Sequence, residues 1–421
     1  MKSFLKIFYY LVVLSLLIGC ELNNTNKHLD TINLTNPIKN LTPLQISEYA
    51  TDIKYIQLAG GDEKLKTIYK IAFSERYIAV ADNKICLLYD SDGNFISKIG
   101  TAGKGPGQYI NISNVLLGMG KEVFIQSGKR ILSYNYSGNF MREFNPLIHS
   151  KIHTICSLSI HQDSLFIGQI PNYSGMEEYN AVVFNNKGET LRLLKNTIHL
   201  DRKTVSFNSF DSHATFFHLK EKLFFKEKMN DTLFMFQDWE IIPTIAFNLG
   251  NFSQPKSERE LNPLEMAKNI DDYIFIDDVY ETSSYIFVDC AFNNHSTAKR
   301  SKPKIIFGVE DWFYTRKVLG IYDKKLKILK FSEPEKTDNA ILKTGLYNNF
   351  DGGPKFYPKT MVNDSTLAMW FDAYLLKEHV ASQIFKKSKP IYPEKKKELE
   401  ELANSLNEND NPVLVLVKLK E

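Results

Sequence analysis

A plan of short apolar strands and tight turns returns along this chain at an interval that few folds can use. Ile78–Asp82 leads to Ile85–Asp90, a Ser91-Asp92-Gly93-Asn94 turn and Phe95–Ile99. The plan repeats as Val123–Gln126, Ile131–Asn135, a Ser137-Gly138-Asn139 turn and Phe140–Phe144, with Gly138 falling 45 positions after Gly93. A looser copy runs Leu165–Gly168, Ala181–Phe184, Asn186-Lys187-Gly188 and Thr190–Leu194. Others follow at Leu223–Phe225, Thr232–Phe236 and Pro243–Phe247, then at Tyr285–Val288, Lys317–Tyr322 and Lys327–Phe331. The last and most degenerate begins at Thr366–Phe371. Self-similarity at a period of about 40 to 50 residues is the mark of a β-propeller blade.

The strands support that reading. Many are apolar on both sides, as a sheet needs when a neighbour packs against each face. The turns carry Gly, Asn and Asp, which tolerate positive φ and favour hairpins. Twenty-nine Phe and 21 Tyr suit pleated, buried surfaces. The chain therefore reads as all-β, a six-bladed β-propeller with short C-terminal helices, spanning residues 43–421. Five or seven blades, or a large sandwich or jelly roll, are the alternatives. One helical stretch is Asp372–Lys386, with Ala373, Leu376, Val380 and Ile384 on a stripe. A second opens at Pro393 and carries Leu399, Leu402 and Leu406. Val413–Leu419 is a late strand far from its repeat. Pairing it with Ile53–Leu58 would close the ring and remove an exposed edge.

The first residues have a different character. Lys2 and Lys6 precede an apolar run from Phe8 to Ile18, broken only by Ser15, and Leu17-Ile18-Gly19-Cys20 closes it. The run is short for a membrane span and has the flanks of an export signal. Its ending resembles the lipobox of bacterial lipoproteins, which implies cleavage before Cys20, lipidation of Cys20 and attachment to a membrane through the lipid. Residues 20–42, rich in Asn, Thr and Lys, read as a flexible tether. The stretch after Cys20 lacks an acidic cluster, which favours the periplasmic side of an outer membrane over the cell surface. A net charge of +3, two units of it from Lys2 and Lys6, leaves no basic excess for nucleic acid. Cys86, Cys156 and Cys290 are odd in number and far apart, and read as free thiols. No CxxC pair points to zinc or redox chemistry.

From Ile56 to Phe144 the chain resembles six-bladed β-propeller lipoproteins of Bacteroidota, distant relatives of NHL-repeat propellers. The resemblance rests on Ile68–Ile71, on Tyr89-Asp90-Ser-Asp-Gly93-Asn-Phe95, and on Lys98-Ile-Gly100-Thr-Ala-Gly103-Lys-Gly105-Pro106-Gly107-Gln-Tyr109. It extends to Asn349–Pro358 and Asn411–Lys420, with residues 150–330 departing furthest. It implies the fold and an envelope location, and no established activity.

Catalytic signatures are thin. Gly100 and Gly105 have the spacing of a phosphate loop, but Pro106 stands where an amide donor is needed, so a blade connection is the better reading. His149 with His153, and His213 with His218, lack metal spacing. Zinc-peptidase and hydrolase-elbow motifs are absent. Asp82, Asp289 and Asp372 are the residues a metal-dependent propeller hydrolase or lyase would use, although each also suits a strand end or turn. Asp163-Ser-Leu, Asp231-Thr-Leu and Asp364-Ser-Thr read as blade-opening turns. Binding is the stronger expectation, with no cofactor and no metal. Trp312, Tyr314 and Arg316 follow Glu310-Asp311, while Asp351, Phe356 and Tyr357 belong to a Gly-Gly-Pro loop. Aromatic faces beside carboxylates suit a glycan, a peptide or an envelope protein partner.

Overall fold

The computed structural model describes residues 29–421 except 61–62, 119, 147–153, 162–163, 203–213, 229, 262–264, 266–268, 297–303, 307–308, 312–316 and 334–343. Six antiparallel sheets form a six-bladed β-propeller. From the channel outwards, blade 1 is Lys70–Phe73, Tyr77–Ala81, Cys86–Asp90 and Phe95–Lys98. Blade 2 is Asn114–Gly118, Glu122–Ser127, Arg130–Asn135 and Phe140–Phe144, and blade 3 is Ser157–His161, Leu165–Gln169, Tyr179–Asn185 and Thr190–Lys195. Blade 4 is Ala214–Leu219, Lys222–Glu227, Thr232–Gln237 and Glu240–Asn248, and blade 5 is Phe275–Glu281, Tyr285–Ala291, Lys317–Asp323 and Ile328–Ser332.

Blade 6 takes Thr360–Asn363, Thr366–Phe371 and Val413–Leu419 from the end of the chain, and its outer strand, Ala50–Gln57, from the start. Leu414 lies opposite Ile56 and Val417 opposite Ile53, the pairing expected from the isolated C-terminal strand.

The doubly apolar strands are explained by the seams between blades. Ile78, Val80, Leu87 and Tyr89 pack with Ile56 and Leu414 of blade 6. Their alternates Ala79, Ala81, Cys86 and Leu88 pack with Val115, Val123 and Ile125 of blade 2. The core is thus a series of interblade layers, each strand serving two of them. Cys86 and Cys290 are fully buried free thiols, and Cys156 is half-buried.

Repeated turns also join the blades. Asp90 Oδ1 accepts from the amides of Asp92 and Asn94, both at 2.9 Å, and Asn135 does the same for Ser137 and Asn139. Gly93 and Gly138 sit at φ 89° and 83°, which glycine alone adopts freely. A Cβ there would lie 2.3 Å from Gln57 O or 2.0 Å from Lys98 O, on the outer strand of the preceding blade. Glycine thus serves both the turn and the interblade approach. The Gly100–Tyr109 segment is a blade connection as well: Tyr109 Oη donates to Ile99 O at 3.1 Å, and Tyr134 Oη to Gly107 O at 3.0 Å.

Two expectations need correction. Residues 30–42 are not a flexible tether. Asp30–Asn33 adds a fifth strand to the outer edge of blade 4, and Leu41–Thr42 pairs in parallel with Ile328–Ser332 of blade 5. Ile32, Leu34 and Ile38 are buried in the seam between those blades, so three apolar side chains hold an otherwise polar segment down. The helical stretch from Asp372 is also broken, into Ala373–Ala381 and Gln383–Lys387. Ser382 Oγ accepts from Phe385 N and starts a new helical turn. The break turns Phe385 inward and leaves Ile384 72% exposed. Pro393–Ser405 packs Leu399 and Ala403 on the first helix, and Lys377 Nζ donates to Ala403 O and Leu406 O at its C-terminal end.

Candidate functional site

The meander places connections of two kinds on opposite faces. Among the described residues, links between the first and second strands, and between consecutive third and fourth strands, are tight: 74–76, 91–94, 136–139, 220–221, 238–239 and 364–365 are typical. The longer described connections, among them 99–113, 170–178 and 372–412, lie on the other face. One is therefore a turn face and the other a loop face. Segments of variable length on a rigid scaffold are where recognition groups are carried.

At the loop-face end of the channel, blades 4, 5 and 6 bring charged side chains together. Lys317 begins the third strand of blade 5, and its ammonium donates to both Asp289 oxygens at 3.0 and 3.1 Å and to Asp277. Tyr357, just before the inner strand of blade 6, donates its phenol proton to Asp289. Blade 4 adds Lys226, wholly buried, which donates to Ile276 O at 2.8 Å, and Lys228, 3.8 Å from Asp277. Thr215 of blade 4 donates to Asp278.

Burial opposes ionisation of Asp277, but the ammonium groups of Lys317 and Lys228 hold its carboxyl below the usual range. Burial wins at Asp289, whose pKa is raised although Lys317 pulls it down, because Asp277 and Asp278 add like charge. Lys317 itself is held protonated: burial lowers its pKa, and the two carboxylates more than reverse that. Across the channel, burial depresses the Lys70 ammonium, while Asp278 pulls the other way. Blades 1 and 5 thus interact electrostatically at one opening.

The second loop-face feature is a mainly apolar cleft of about 640 Å³ beside the helical insert of blade 6. Tyr347, Leu375 and Ile384 give it apolar surface, and Lys355, His379 and Lys389 give it polar groups. The Lys355 ammonium lies 3.7 Å from the centre of the Tyr347 ring, a cation–π contact. His379 Nε2 donates to Gly352 O at 2.9 Å, tying the first insert helix to the Asp351-Gly352-Gly353-Pro354 loop.

The expected ligand-binding residues are distributed unevenly over this face. Asp351 and Phe356 do not reach outwards, being 1% and 0% exposed. Phe356 fills the seam between blades 5 and 6, and Asp351 Oδ1 accepts from Asn348 Nδ2 and Gly353 N at 2.7 Å and from Tyr55 Oη at 3.3 Å. Their loop still borders the cleft, through Gly352, Gly353 and Pro354. Tyr357 joins the charged group by its inward-turned hydroxyl. Trp312, Tyr314 and Arg316 lie outside the described residues, as do Cys20, Asp163, His149, His153 and His213.

Asp82 is a turn residue, accepting from Lys84 N and Ile85 N at 2.6 and 2.8 Å, and Asp372 opens a helix. Among the described residues no three His, Cys, Asp or Glu side chains gather closely enough to hold a metal ion. Lys317, Asp277, Lys226 and the Tyr347–Lys355–His379 cleft were not singled out from the sequence. The one available signal was Asp289, a carboxylate ending the apolar run Ile286-Phe287-Val288.

Asp351 supplies a pH test. Burial raises its carboxyl from 3.8 to about 6, although Gly353 N–H, Tyr55 and Asn348 stabilise the anion. A carboxyl raised on folding contributes stability that is present below pH 4 and is lost as pH rises through the folded value. Denaturant titrations of the wild type should therefore show a decline of about 2 kcal/mol between pH 4 and 7 beyond that of Asp351→Asn. Parallel profiles for the two proteins would contradict the assignment.

Among the described residues, no helix is long and apolar enough to cross a membrane. The fold has solved relatives. A Bacteroides fragilis protein whose description assigns it to export superposes with a TM-score of 0.65 over 93% of this chain and 100% of its own, at 18% identity. A DUF4221 family member from Bacteroides vulgatus aligns over 88% of this chain and 97% of its own, at 10% identity and a TM-score of 0.46. No curated protein sequence matches. A family model matches residues 29–418, nearly all of the propeller and its N-terminal strap. The chain belongs to the family described as Domain of unknown function (DUF4934).

Proposed function

We propose that this protein is a non-catalytic binding scaffold of the cell envelope, recognising a peptide, a glycan or a partner protein on its loop face. The reading is carried by the placement of the long described connections on one face, around a charged channel opening and an apolar cleft. Concave, largely apolar surface with a few oriented polar groups is the ordinary form of a ligand site. The cleft offers Ile384 and Tyr347 for apolar contact, with Lys389 for an acidic group.

Export and anchoring rest on the first twenty residues: the apolar run implies secretion, Cys20 in the lipobox-like ending implies a lipid anchor, and the lack of an acidic cluster after Cys20 favours the periplasmic side of an outer membrane over the cell surface. The solved relative from Bacteroides fragilis, described in terms of export, supports the export part of this reading.

A photo-crosslinking amino acid placed at Ile384 or Tyr347 in cells making the full chain should give discrete adducts. The same probe at Phe95 or Ile328, exposed on the outer strands of blades 1 and 5, should give none. Equal labelling at all four positions would defeat the loop-face assignment. Radiolabelled palmitate should enter the wild type and not Cys20→Ala; label persisting in the variant would remove the anchor while leaving the binding reading intact.

A further inference from the structure

The turn face has a second site, unconnected with the loop-face reading. Four non-glycine residues in the left-handed region occupy two turns of blade 4: Lys220 and Glu221 at φ 49° and 64°, Asp238 and Trp239 at 52° and 64°. That conformation is disfavoured for L-residues and most of all for a bulky one. The indole is not placed there for burial, since Trp239 stays 43% exposed. Backbone strain around an exposed aromatic ring, where glycine or asparagine would serve the turn better, is a reason to look for function.

Between the two turns lies a cavity of about 780 Å³. The first turn is fixed from blade 6, where both Asp364 oxygens accept from Lys220 N at 3.1 Å. The cavity rim carries Lys220 and Lys222 against Glu221 and Asp238, so its formal charges cancel. Phe236, His161 and His218 line it, and Trp239 stands just outside, at the edge of Phe236. Trp239 meets Phe236 edge-to-face at 6.5 Å, Phe236 meets His161 at 5.5 Å, and His161 lies parallel to His218 at 6.3 Å. Burial lowers the pKa of both histidines, and His161 lowers that of His218 further. The two imidazoles therefore line the site as neutral hydrogen-bonding rings. His161 Nδ1 is buried without a hydrogen-bond partner. Gln237 Nε2 donates to Asp238 Oδ2 at 3.0 Å and orients that carboxylate.

A balanced rim gives neither an anion nor a cation an advantage. An exposed indole wants a flat apolar face, and carboxylates, amide and imidazole want hydroxyl partners. A neutral pyranose has both, with C–H bonds on one face and hydroxyls around its edge. We propose that this turn-face pocket is a saccharide subsite for neutral pyranosides, with Trp239 as the stacking platform and Glu221, Gln237 and Asp238 as hydroxyl partners.

The test is native affinity electrophoresis of the mature chain in gels containing dextran, laminarin, xylan or galactomannan, with polygalacturonate as the charged comparison. Retardation is expected in at least one neutral gel, and Trp239→Gly should weaken it about five-fold or more. Glycine is at home at that φ, so Trp239→Gly should melt at the same or a higher temperature than the wild type. Loss of binding without loss of stability separates a ligand platform from a packing residue. No retardation in any neutral gel, retardation by polygalacturonate alone, or full retention in Trp239→Gly overturns the proposal.

Discussion

Deleting residues 413–421 should leave a chain that does not reach the folded state. Val413–Leu419 is hydrogen-bonded to Thr366–Phe371 on one side and to Ala50–Gln57 on the other. It contributes Val413, Leu414, Val415, Val417 and Leu419, each no more than 2% exposed. Fully burying such side chains is worth about 1.5–3 kcal/mol apiece, so five approach the whole stability of an ordinary domain, about 5–15 kcal/mol. The deletion also strips Ala50–Gln57 of its only strand neighbour among the described residues and opens the ring. Far-UV circular dichroism and gel filtration should show loss of the cooperative melt and an expanded or aggregated species. A chain beginning at Pro43 is the informative contrast, because the segment it lacks covers outer edges without closing the ring. It should still fold, with a lower melting temperature. A C-terminally truncated protein with a near-normal melt would show that closure of blade 6 is not what holds the ring.

Replacing Lys317 by Met should lower stability by about 3–5 kcal/mol, the usual result of leaving buried charge without its partner. Asp277 and Asp289 would then face each other with Asp278 near by, and only Lys228 and Lys226 in opposition. The folded pKa of Asp277, now depressed, would rise above the unfolded one, and that of Asp289, already raised, would rise further. The sign follows directly: the deficit should be large at pH 7 and should shrink as the pH falls and both carboxyls take up protons. Equilibrium denaturation at pH 7 and pH 5 measures this. Adding Asp277→Leu and Asp289→Leu to Lys317→Met should recover much of the loss, since a packed apolar group often matches a buried ion cluster. A deficit independent of pH would mean that Lys317 acts through its aliphatic stem and not its charge.

The strands that show in the sequence are those that serve two seams. Val80 and Leu87 face blade 6 while Ala79 and Leu88 face blade 2, so the two middle strands of a blade read as solid apolar runs. The inner strands were harder to read because they line the channel. Ser157, Ser159 and His161 lie among Leu158 and Ile160, and Lys70–Phe73 is only half-buried along its length. The N-terminal strap escaped notice for a related reason: a covering strand such as Asp30–Asn33 buries only Ile32 and otherwise looks like a linker. At the site, Asp277, Asp289, Lys317 and Tyr357 are separated along the chain, and only the stacking of strands in blades 5 and 6 makes them neighbours. The opposite error occurred at Asp351 and Phe356, whose loop sits at the expected place while the side chains turn into the seam. Local sequence indicates where a loop is, but not which of its side chains the adjacent blade will cover.

The N-terminal strap also has a mechanical meaning. The chain is clasped at blade 4 by Asp30–Asn33, again at blade 5 by Leu41–Thr42, and only then enters blade 6 as Ala50–Gln57. Tension applied upstream of residue 29 must therefore peel a four-residue clasp and then a two-residue one before it reaches the strand that closes the ring. Releasing the first would bare Ile32, Leu34 and Ile38 at the seam of blades 4 and 5, so load on the N-terminus is opposed by apolar burial before it reaches the closing strand.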